Sequence, residues 1–212
     1  MRCLPLILAA LFGVAAAGCT SLDRSRDLGN PAVPGPVLAQ QVCSLCHGVD
    51  GNSVSPAFPR LAGQQATYLK NQLTSFRSHH RADPAGSEYM WGLSHHLTDR
   101  QIDALADYYS KQVPRDYRRS ADPQMLADGK AIFEQGVPAQ DVIACSACHG
   151  PNGQGIEAFP RLAHQHADYL VKQLNIFQYT QGRPGTPMTA VSHPLTGSNK
   201  EAVATFLEAF PD

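Results

Sequence analysis

Cys43-Ser44-Leu45-Cys46-His47 is followed, about a hundred residues on, by Cys145-Ser146-Ala147-Cys148-His149, and each pentad has the C-x-x-C-H spacing of covalent haem attachment. In that chemistry two thiols add to the haem vinyl groups as thioethers, and the adjacent histidine reaches the iron. The pattern predicts two covalently bound haem c groups, held by Cys43, Cys46, Cys145 and Cys148, with His47 and His149 as proximal iron ligands. A zinc ribbon would need its second cysteine pair within about 15 to 20 residues, and a redox dithiol would be a single motif beside a βαβ pattern. Neither reading suits two pentads so far apart.

The pentads belong to a longer duplication. Gly48-Val49-Asp50-Gly51 follows the first and Gly150-Pro151-Asn152-Gly153 the second, and then Phe58-Pro59-Arg60-Leu61-Ala62 matches Phe159-Pro160-Arg161-Leu162-Ala163. Tyr68, Leu69, Gln72, Leu73 and Phe76 return as Tyr169, Leu170, Gln173, Leu174 and Phe177. Later, Met90, Leu93, Ser94, His95, Leu97 and Thr98 pair with Met188, Val191, Ser192, His193, Leu195 and Thr196, and both copies run into a closing helix at Ala104 and Ala202.

So long a unit is no solenoid repeat and suits a small domain. The expected layout is two tandem domains, 37–113 and 124–212, joined by a linker over 114–123 with proline at both ends. The apolar spacing is helical throughout, no alternating strand run of useful length appears, and the fold class is all-α. Thr98 with Gln101, and Ser198 with Glu201, read as capping boxes. With 17 Gly and 16 Pro in 212 residues, much of each domain is expected as irregular chain around the haem. The covalent group would supply apolar interior that so small a domain lacks.

The first eighteen residues read as a secretory signal peptide: one Arg, then about 14 apolar residues, too few for a membrane core that needs about 20. Ala16-Ala17-Gly18-Cys19 resembles a bacterial lipobox, although Ala16 stands where Leu is usual, and predicts a lipidated Cys19. Ordinary cleavage after Ala17 is the alternative and would leave Cys19 a free thiol. Residues 19–36 then form a flexible tether spanning about 20 to 25 Å. Periplasmic location follows, with membrane attachment through the lipid alone; the absence of Asp after Cys19 points to the outer membrane. Seventeen basic residues face 18 acidic ones, and the second domain is the more acidic, which argues against nucleic acid.

The sixth ligand of each iron decides between chemistry and electron transfer, because an open site admits O₂ or peroxide whereas a strong protein ligand closes the centre. Met90 and Met188 occupy matched places and are the candidates, with His95 and His193 a competing pair. A backbone carbonyl commonly accepts the proximal histidine's other ring proton, and Pro59 and Pro160 are placed to supply it. Arg60 and Arg161 are candidates to pair with haem carboxylates, and Tyr68 and Tyr169 to bond there or across the domain interface.

On C-x-x-C-H-G followed by F-P-R-L-A, the Tyr-Leu and Gln-Leu pairs and the late Met before a Leu-Thr helix start, the chain resembles the dihaem cytochromes c of the cytochrome c4 family. The resemblance covers both haem domains. It implies two tandem class I cytochrome c folds, each with His/Met ligation, packed about a pseudo-twofold axis with the haem propionates near the boundary. It further implies a periplasmic carrier of single electrons, from a cytochrome bc1-type donor to a terminal oxidase. The lipoprotein-like start, the insertion Gln140-Asp141-Val142-Ile143 and the Trp91 region depart from the family and leave the partner open. A haem subunit of a dehydrogenase complex is one alternative function, and a dihaem peroxidase, which needs an open iron, is another.

Overall fold

The structure, a computed structural model, describes residues 25–84, 86–116, 120–179, 183 and 185–211. The signal peptide, Cys19 and the start of the tether lie outside the described residues. Among those described, the chain is helical, with only two isolated β-bridges, Val137 with Val142 and Ile156 with Phe159. No described helix is long and apolar enough to cross a membrane.

The first domain begins with α1 (Gly35–Leu38), passes through a π-helical turn (Ala39–Cys43), and carries its pentad into α2 (Ser44–His47). Helices α3 (Ala66–Arg77), α4 (Gly86–Ser94) and α5 (Asp99–Ser110) follow. In the second domain α6 (Pro123–Gln135) leads to a 3-10 turn (Pro138–Gln140), α7 (Ser146–His149), α8 (Ala167–Gln178), α9 (Met188–Ser192) and α10 (Gly197–Glu208). Each domain has its own core. Leu38, Ala39, Leu69, Ile102, Leu105 and Tyr109 are buried together in the first, and Phe133, Leu170, Val203, Phe206, Leu207 and Phe210 in the second. Full burial of one such side chain contributes about 1.5–3 kcal/mol.

In both domains the opening helix crosses the closing one at a glycine. A Cβ on Gly35 would lie 2.5 Å from the Cβ of Ala104, and one on Gly129 would lie 2.1 Å from the carbonyl oxygen of Ala202. Ala104 and Ala202 are repeat equivalents, so the same close crossing is built twice.

Three expectations change. The first domain starts before Val37, because Val33 is buried and the buried amide of Gln101 donates to the carbonyls of Asn30 (3.0 Å) and Val33 (3.2 Å). Residues 30–36 are therefore packed chain rather than tether. At the other boundary Asp122 caps α6 and Pro123 is its first residue, so the linker ends earlier than expected. The second capping box is Thr196 with Asn199, not Ser198 with Glu201: Thr196 has the extended backbone a cap requires, whereas Ser198 is already helical. Thr98 with Gln101 forms the first box as read. The insertion before the second pentad closes as a tight loop, with Asp141 in the left-handed region at φ 56° and Val142 buried against Val137.

The domains meet along a seam of reciprocal glutamines. Gln64 Oε1 accepts from the backbone N–H of Arg161 (2.7 Å) while its Nε2 donates to the Arg161 carbonyl (3.0 Å). Gln165 does the same to Arg60, at 2.9 and 3.0 Å. Arg81 and Arg183 add a second layer, each donating to the side-chain oxygens of both Gln72 and Gln173 and each lying over its own domain's phenylalanine, Phe76 or Phe177.

The helix crossings give a first test. Gly35→Ala and Gly129→Ala should each destabilise the haem-loaded protein by about 1–3 kcal/mol through overpacking. Gly197→Ala, whose Cβ would enter open space, should be neutral or slightly stabilising in the same urea titration.

Candidate functional site

Each pentad ends in a short helix stopped by a glycine, Gly48 at φ 78° and Gly150 at φ 81°, conformations open to glycine because it has no Cβ. The stop turns the chain back, and the Gly51 and Gly153 carbonyls receive the amides of Leu61 and Leu162, both at 2.7 Å. That closure brings the Phe-Pro-Arg strings beneath the histidines. His47 Nδ1 lies 2.9 Å from the Pro59 carbonyl and His149 Nδ1 lies 2.8 Å from the Pro160 carbonyl. Phe58 and Phe159 stand edge-on to the same rings at 6.3 and 6.2 Å between centroids.

A carbonyl can only accept, so Nδ1 carries the proton in both rings. Burial holds both imidazoles below their ordinary pKa, outweighing the upward pull of the carbonyls, so the rings are neutral. Nε2 is then a lone-pair donor, and among the described residues it has no hydrogen-bond partner in either ring. Two thiols lie beside each ring: Cys43 and Cys46, Cys145 and Cys148, none of them in a disulfide. Burial pushes the Cys43 and Cys145 thiols up to about 11. A neutral imidazole with Nε2 free, next to two unpaired thiols, is the donor set that a covalent haem requires.

The model for the family described as cytochrome c matches residues 32–111 and again 126–209. The chain belongs to the cytochrome c family. It is similar to cytochrome c-552 of Acidithiobacillus ferridurans, with 37% identity over 87% of this chain and 80% of that protein. The solved cytochrome c4 of Acidithiobacillus ferrooxidans superposes with a TM-score of 0.73 at 39% identity, covering 79% of this chain and 98% of that one. A protein of Stutzerimonas stutzeri named thiosulfate dehydrogenase electron acceptor is 32% identical over 79% of this chain and 78% of its own length. The chain is thus a dihaem cytochrome of the cytochrome c4 family, with two tandem cytochrome c domains and two covalently bound haem c groups.

The two candidate methionines of this cytochrome fall on the short helices that precede the closing helix of each domain. Met90 lies within α4 and Met188 begins α9, both half-buried, and these helices pack on α3 and α8. Four residues beyond each methionine a fully buried serine folds back: Ser94 Oγ donates to the Met90 carbonyl and Ser192 Oγ to the Met188 carbonyl, both at 2.6 Å. His95 stacks on Trp91 at 4.6 Å and meets His96 at 3.7 Å, and His193 is exposed.

Arg60 is buried and reaches across the seam, its guanidinium donating to the carbonyls of Ser53 (3.4 Å) and His164. Arg161 meets Gln64 through its backbone. Tyr169 OH accepts from Arg81 Nη2 at 3.4 Å, and burial raises its pKa against the pull of Arg81. Tyr68 sits near the same guanidinium; burial acts to lower the pKa of Arg81, but Tyr169, Tyr68 and Asp83 together raise it.

Sequence reading passed over Gln64, Gln165, Arg81, Arg183 and the two serines. Gln64 and Gln165 stand two residues past the matched strings, and Ser94 and Ser192 are matched as well, so duplication was the available signal. The two arginines fall out of register between copies and left none.

Ser94→Ala and Ser192→Ala should each remove about 1 kcal/mol from the domain concerned. On heating, the haem absorption band of that domain alone should be lost earlier. Unchanged melting of both bands would show that the serines do not hold these helices.

Proposed function

We propose that the protein shuttles single electrons in the periplasm between a respiratory donor and an acceptor, with Met90 and Met188 closing the two irons opposite His47 and His149. The observation that carries this reading is the twofold recurrence of one unit: a neutral histidine on a proline carbonyl, and a methionine pinned by a buried serine. The haem iron supplies a one-electron ferric/ferrous couple, and Met ligation raises its potential relative to a second His. The chain's own part is to hold the ligands still, so that little rearranges when charge changes.

Methionine rather than His95 or His193 is favoured because His95 is engaged with Trp91 and His96 and its Nδ1 lies within 3.2 Å of helix carbonyls. Closed irons on both sides argue against a peroxidase. The family supports a cytochrome bc1-type donor and a terminal oxidase as acceptor. A second reading, service to a dehydrogenase, is supported by the relative named thiosulfate dehydrogenase electron acceptor.

Met90→Ala and Met188→Ala should each abolish about half of the weak red-end charge-transfer band of the oxidised protein. A variant that leaves the band intact, or wild-type protein with high-spin haem that reacts with peroxide, would overturn the closed-site reading.

The Ala16-Ala17-Gly18-Cys19 string supports a lipid anchor at Cys19. Cells fed a labelled fatty acid should label the wild-type chain, and Cys19→Ala should carry no label and leave the membrane fraction. Label retained in the variant would refute the anchor.

A further inference from the structure

The carbonyl of Pro59 and the N–H of Arg60 are two ends of one peptide group, and the two ends face different domains. On one side the carbonyl accepts the Nδ1 proton of His47 at 2.9 Å; on the other the N–H donates to Gln165 Oε1, from the second domain, at 2.9 Å. The mirror arrangement holds for His149: Pro160 carbonyl at 2.8 Å, and Arg161 N–H to Gln64 Oε1, from the first domain, at 2.7 Å. Arg60, Gln64 and Gln165 are buried, so water does not compete freely for these groups.

We propose that Gln64 and Gln165 are positioning residues acting crosswise, each tuning the proximal histidine of the opposite domain through a single shared peptide. The proposal rests on His47 and His149 being iron ligands. A hydrogen bond to one end of a peptide polarises it and makes the other end a stronger partner. With Gln165 in place the Pro59 carbonyl is a better acceptor, the His47 ring becomes more basic toward iron, and the ferric state is favoured. Loss of Gln165 therefore raises the potential of the first haem and leaves the second unchanged; loss of Gln64 does the reverse.

The glutamines are well built for this. Each Oε1 also accepts the backbone N–H of the next residue, Gln65 at 2.9 Å or His166 at 3.0 Å, and each Nε2 holds the carbonyl of the same arginine whose N–H is bound. The amide is fixed at both ends, so its oxygen cannot swing away from the peptide.

The test uses the mature dihaem protein and a spectroelectrochemical titration of wild type, Gln165→Met and Gln64→Met. Met90→Ala and Met188→Ala assign each midpoint to its haem. In Gln165→Met the first-domain midpoint should rise by about threefold in the oxidised-to-reduced equilibrium, about 30 mV for one electron, with the second unmoved; Gln64→Met should move only the second. Gln165→Glu keeps an acceptor oxygen for Arg60 N–H and should return the first midpoint to wild type or below. Equal movement of both midpoints would mark a general loosening of the seam and overturn the proposal, as would movement in the variant's own domain, no movement at all, or a glutamate variant as displaced as the methionine one. If wild-type protein shows no histidine-ligated low-spin haem, the ligand reading fails instead, which the same spectra report.

Discussion

A neutral imidazole, buried and bonded through Nδ1 to a proline carbonyl, is the constraint around which each domain is arranged. An acceptor at Nδ1 secures the tautomer that leaves Nε2 deprotonated and free. Supplying it takes a helix that stops abruptly after the histidine, a loop that returns, and a string rigid enough to present one carbonyl. Gly48, Gly51 and Pro59 do this in the first domain, and Gly150, Gly153 and Pro160 in the second.

Packing extends that constraint outward. The returning loop has peptide groups on both faces, and those turned from the histidine would be buried and unsatisfied at a domain boundary, a cost of about 1–3 kcal/mol each. Glutamines of the opposite copy satisfy them, so the second domain completes the first domain's loop and the reverse. Arg81 and Arg183 fasten the same boundary through Gln72 and Gln173, and His166 crosses it to the Ser53 carbonyl at 2.9 Å. Tandem duplication thus has a structural consequence: the copies share hydrogen bonds at the level of the loops that hold their histidines.

The two copies are not equal. The first opens with a one-turn helix and a π-helical turn where the second has thirteen residues of helix. His164 takes a left-handed backbone, φ 63°, at the place where the first copy has Gly63. Trp91, stacked between His79 and His95 at 4.6 Å on each side, belongs to the first domain only. Such differences set the two copies apart within one repeated frame.

The chain's letters alone determine the cofactor, its number and the helical class, because haem attachment is a local demand: five adjacent residues meet it wherever they occur. Duplication likewise exposed the paired methionines and the proline string without any knowledge of the fold. Tertiary structure alone decided what lies between the domains. Gln64 and Arg161 are 97 residues apart in the chain, and Gln165 and Arg60 are 105 apart, so no spacing rule links them. It also decided the glycine crossings, where Gly35 and Gly129 look like loop residues until Ala104 and Ala202 are packed against them. Local chemistry is written in neighbouring residues; shared peptides and close helix crossings exist only after distant segments have met.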